Sequence, residues 1–122
     1  MKPQVDLCVP TLQSNDATKS YEFYHSVLGF EKNWEHRFEP ELPLFISMSN
    51  GGNTVFITEH KNESAFGMEL YFYVKKVDSL AVHAKFQGVA FDVELHETPY
   101  GTKEFTIKDP DGNKLRIGQL MT

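Results

Sequence analysis

A chain of 122 residues has room for one domain of ordinary size. Its 40% hydrophobic and 13% aromatic content supplies a core and excludes a wholly disordered chain. Seventeen acidic against twelve basic side chains leave a net charge of −5, which repels nucleic-acid phosphate and favours a small cationic partner.

The N-terminus lacks the apolar stretch of a secretory signal, and no run approaches the roughly 20 apolar residues that span a bilayer. The expectation is a cytoplasmic protein with no membrane partner. Residues 5–12 read as a first strand, with Val5, Leu7 and Val9 on one face and Cys8, Pro10 and Leu12 on the other. Pro10 donates no ladder bond and places this strand at an edge or a bend. Cys8 is the single cysteine, so neither an internal disulfide nor a thiolate zinc site can form.

Ser14, Asn15 and Asp16 are cap candidates for a helix that Gly29 ends. Ala17, Tyr21, Tyr24 and Leu28 give it one apolar stripe. Strands follow over 30–34, 44–48 and 54–58, the last two flanking Asn50-Gly51-Gly52-Asn53, whose glycines suit a tight hairpin. The order then repeats: strand over 68–74, helix over 78–87 stopped by Gly88, strands over 89–95, 104–108 and 115–120. A slide of sixty residues places Phe45 on Phe105, Gly52 on Gly112, Asn53 on Asn113, Val55 on Leu115 and Ile57 on Ile117. The two helix stops are fifty-nine apart, so one residue is gained or lost between them. The chain is read as one domain of two βαβββ modules, at about 5–60 and 67–120. Together they make an α+β fold with a curved mixed sheet and a concave ligand face.

Val9-Pro10-Thr11-Leu12, Asp16, Phe23-Tyr24 and Leu28-Gly29-Phe30 resemble the opening of the vicinal oxygen chelate superfamily. This superfamily holds glyoxalases, extradiol dioxygenases and the fosfomycin and bleomycin resistance proteins. Leu44-Phe45-Ile46-Ser47, Glu97-Thr98-Pro99-Tyr100-Gly101 and Asp109-Pro110-Asp111-Gly112-Asn113 look most like the bleomycin resistance branch. The resemblance implies a paired βαβββ fold and a homodimer, in that branch often with an exchanged first strand. It also implies, in enzymes of the superfamily, a divalent metal held by the first and fourth strands of each module. Carried onto this chain, those positions are Val9, Phe56, Glu69 and Arg116. Only Glu69 can coordinate, and a catalytic metal needs about three donors, so the metal site reads as dismantled. Glu69 and Arg116 are expected to satisfy each other as an ion pair.

Trp34 and Phe38 stand among Glu31, Glu35, Glu39 and Glu41, an aromatic and acidic neighbourhood suited to a planar cation. Tyr100 occupies the position of a ring-bearing residue in the family's drug cleft, with Ser47 near that cleft, while Phe45 and Phe105 read as core. The ligand set is therefore Trp34, Glu35, Phe38, Ser47 and Tyr100, with no catalytic residue, metal or cofactor. The function expected is sequestration of a small cationic aromatic compound, of bleomycin type by resemblance, in a dimer cleft. The alternative is a metal-dependent glyoxalase- or dioxygenase-like enzyme with ligands displaced to groups such as His60 with Glu59 or His96 with Glu97.

Overall fold

The computed structural model describes residues 2–37 and 39–122. The first module is β1 (Thr11–Gln13), α1 (Ala17–Leu28), β2 (Glu31–His36), β3 (Phe45–Asn50) and β4 (Asn53–Thr58). The second is β5 (Glu69–Tyr73), α2 (Val77–Phe86), β6 (Phe91–Glu97), β7 (Thr102–Lys108) and β8 (Lys114–Leu120). The strands hydrogen-bond as two four-stranded mixed sheets, β1-β4-β3-β2 and β5-β8-β7-β6, rather than as one continuous ladder. The α+β class and the repeated element order are as expected from the sequence.

Local chemistry sets the helix ends. Asp16 caps α1 by accepting from the Lys19 amide at 3.1 Å, and Gly29 closes it at φ 73°, the left-handed conformation that glycine adopts without steric cost. The first helical amide of α1, Ala17, donates to Glu59 at 2.8 Å, and that of α2, Val77, donates to Gln119 at 3.0 Å. Both pairs are related by sixty residues, so the correspondence between the modules extends to the caps.

Strand pleating divides each sheet into two faces. Ile46, Met48, Val55 and Ile57 of the first sheet and Phe105, Ile107, Leu115 and Ile117 of the second join the helix residues Tyr24, Val27, Val77 and Ala84 in one buried cluster. The alternate residues point to the opposite, open face. A buried latch ties the modules together: Tyr24 on α1 donates to Asp109 at 2.6 Å. Asp109 also accepts from the Asp111 and Asn113 amides at 2.9 Å and from the Asn113 side chain at 2.8 Å, so its carboxylate is taken up in closing the 109–113 turn. Burial, then the Asp109 charge, raises the Tyr24 phenol well above its ordinary pKa.

The first strand begins later than its alternation suggests. Residues 2–10 form no strand, and Val5 and Leu7 are 80% and 56% exposed. Their apolar pattern has no partner strand among the described residues.

Register also corrects the repeat. Trp34, Ser47, Phe56 and Thr11 form one cross-strand row, and Val93, Thr106, Arg116 and Tyr71 form its counterpart. The offset is 60 for β1 and β4 but 59 between Ser47 and Thr106, because the β7–β8 hairpin holds one residue more than Asn50-Gly51-Gly52-Asn53. Phe45 therefore corresponds to Glu104, not Phe105. It lies half-buried on the open face, whereas Phe105 is fully buried in the core.

Candidate functional site

The open face of the second sheet carries a connected polar cluster. Pleating brings Arg116 of β8, Tyr71 of β5 and Glu104 of β7 to that face, and the turn into β7 adds Tyr100 and Thr102. Glu104 is the hub, although only 4% exposed. Its Oε2 accepts from the Tyr71 hydroxyl at 2.6 Å and from Thr102 at 3.0 Å. Its Oε1 accepts from Arg116 Nη2 at 2.7 Å and from Tyr100 at 3.1 Å. A carboxylate removed from water is costly unless such donors replace its hydration. Burial alone would raise its pKa, but the bonds from Tyr71, Arg116, Thr102 and Tyr100 outweigh it and hold Glu104 at about 2. Burial and the bond to Glu104 push Tyr71 up to about 12.

Arg116 is fixed from several sides. It donates to the Tyr100 hydroxyl at 2.7 Å and lies over the Tyr71 ring, 4.9 Å from its centroid. Gly118 makes the arrangement possible. A Cβ there would overlap the Tyr71 hydroxyl and come within 3.3 Å of Glu104 Cβ.

The first sheet presents aromatic rings in the corresponding place. Trp34 stacks on Phe45 with centroids 5.7 Å apart and planes 11° apart, and meets Phe56 at 5.8 Å. Phe45 and Phe56 touch edge to face at 5.2 Å. Ser47 is buried below them, and its hydroxyl accepts from Asn33 at 3.1 Å. The indole remains 49% exposed, a ring platform open to solvent.

Of the residues expected from the sequence, Trp34, Ser47 and Phe56 thus meet on one open face, and Tyr100, Glu69 and Arg116 on the other. Glu35 pairs in register with the core residue Ile46, so it faces away from the indole and forms an ion pair with Lys32. Phe38 lies outside the described residues. Val9 precedes β1, and the residue opposite Phe56 is Thr11; likewise Tyr71, not Glu69, stands opposite Arg116. Glu69 does reach Arg116, at 3.7 Å, but Glu104 is the nearer partner. Glu104, Tyr71 and Thr102 were not singled out from the sequence. Their signal was a glutamate alternating with core residues on the strand hairpinned to Arg116, and a glycine inside that second strand.

A family model described as glyoxalase superfamily protein matches residues 4–121. The chain belongs to the glyoxalase superfamily. No curated protein sequence matches it. Among solved structures, TioX from a Micromonospora species is 17% identical with a TM-score of 0.80, covering 93% of this chain and 97% of that one. A glyoxylase/bleomycin resistance protein/dioxygenase domain from a Frankia species gives 18% and 0.79, covering 97% and 93%. A lactoylglutathione lyase from Agrobacterium tumefaciens gives 19% and 0.74, covering 97% and 96%. At these identities the likeness establishes the shared fold.

The metal that the superfamily's enzymes hold does not fit here. Its positions and their register partners carry Val9, Thr11, Phe56, Glu69, Tyr71 and Arg116, with a fixed guanidinium where a cation would sit. Among the described residues no group of three His, Cys, Asp or Glu comes together to bind a metal. Glu59, a candidate displaced ligand, accepts amides from Ala17 and Leu44 at 2.8 and 3.0 Å, one on each oxygen. No helix among the described residues is long and apolar enough to cross a membrane.

Proposed function

We propose that the protein binds a small planar aromatic compound without a metal and without a covalent step. The half-exposed Trp34 indole, backed by Phe45 and Phe56, carries this reading, because a flat apolar surface at an open sheet face gains most from a stacked ring. The net charge of −5 favours a cationic compound on approach. Bleomycin-type antibiotics are the leading example, by resemblance. The charge comes from the surface as a whole, since Glu35 turns away from the ring.

We place the site at the interface of a homodimer formed by exchange of the N-terminal arm. Val5 and Leu7 support this, as an alternating apolar segment left exposed in one chain gains a partner in two. Calorimetric titration of chelator-treated protein with bleomycin and with unrelated planar cations tests the function. Saturable binding of at least one of them supports it. Failure of all removes it and leaves the fold intact, and turnover that appears only with added zinc, nickel or iron favours an enzyme instead.

A further inference from the structure

The second sheet carries a donor set that the ring platform does not use. Arg116 Nη2 is committed to Glu104 and Tyr100, while Nη1 and Nε form no hydrogen bond among the described residues. The carboxylate facing Nη1 is Glu69, at 3.7 Å, which also stands 4.0 Å from Lys114 Nζ. It lies between two cations and hydrogen-bonds to neither. Glu69 thereby marks where an oxyanion sits, and its side chain, 49% exposed, is free to swing away. The rings that meet this guanidinium form its aromatic rim: Tyr71 lies beneath it, and Tyr100, 62% exposed, accepts from Nη2.

We infer that Arg116 receives a carboxylate of the ligand, displacing Glu69, and that the rim holds the aromatic body attached to it. With Nη2 occupied, the free Nη1 and the Lys114 ammonium are the two cations that flank a carboxylate here, and the guanidinium's orientation is set in advance by Glu104, Tyr100 and Tyr71. Since the whole surface is acidic, the class that satisfies both is an aromatic zwitterion, with an acidic group for Arg116 and a cationic group for the field. This deepens the ring-binding reading and rests on it only for the aromatic and cationic parts of the ligand.

The test uses 2-naphthoate and its uncharged analogue 2-naphthamide as calorimetric probes. The naphthoate is expected to bind about tenfold tighter, the contribution of a charge-assisted pair over a neutral one. Glu69→Gln removes the internal competitor and should strengthen naphthoate binding several-fold while leaving naphthamide unchanged. Arg116→Lys keeps the charge against Glu104 but removes the Nη1 donor that the Glu104 and Tyr100 bonds hold in place, and should reduce the preference. Equal affinities, absence of binding by both probes at millimolar concentration, or weaker naphthoate binding in Glu69→Gln overturns the inference. Trp34→Ala separates the two readings. If planar cations bind that variant normally while the naphthoate preference persists, the ring platform fails and the Arg116 subsite stands.

Discussion

A glycine inside a strand ordinarily weakens it, yet Gly118 sits midway along β8 between the buried Ile117 and the half-buried Gln119. Its missing side chain is the space through which the Tyr71 hydroxyl reaches Glu104. Gly118→Ala should therefore cost about 1–3 kcal/mol in urea unfolding. The ultraviolet pH titration of Tyr71 in that variant should fall from about 12 towards its ordinary 10, and an unchanged titration would detach the glycine from the cluster. Glu104 makes the complementary prediction. Its folded pKa, about 2, lies below its ordinary 4.5, so its stabilising effect is full above 4.5 and lost as pH falls towards 2. Unfolding free energy should decline through that window in the wild type, and Glu104→Gln should remove that part of the decline.

At the level of elements, most of the architecture was legible. Glycine stops, cap residues and the Asn50-Gly51-Gly52-Asn53 hairpin report local backbone needs, and both helices and all eight strands came from them. Face assignment was harder, because a single inserted residue in a hairpin reverses every later side chain. The extra residue in 109–113 is why Phe45 read as core and Glu104 went unnoticed. The start of β1 was misjudged because Val5, Leu7 and Val9 alternate like a strand but find no ladder among the described residues. The Tyr24–Asp109 bond was equally invisible, since it joins residues 85 apart through tertiary packing. Tyr24→Phe should lower stability by about 1–2 kcal/mol, with Asp109 still held by Asn113 and Asp111. A loss confined to noise would mean that α1 is docked by its apolar stripe alone.

Across the whole molecule two corresponding cross-strand rows carry different chemistry on the two open faces. One is the Trp34–Phe45–Phe56 platform and the other the Arg116–Glu104–Tyr71 network, and among the described residues neither brings together three metal donors. In the proposed dimer, deletion of residues 2–9 should convert a dimer to a monomer in sedimentation velocity. A truncated chain that stays dimeric would refute the exchanged arm.

Metal-independent binding at the indole is the central claim, and the chain's single tryptophan makes it directly observable. Titration of chelator-treated protein with a planar aromatic cation, followed by Trp34 emission, should give a saturable change that added divalent metal does not alter. Emission that responds to the compound only after zinc, nickel or iron is supplied would contradict the account.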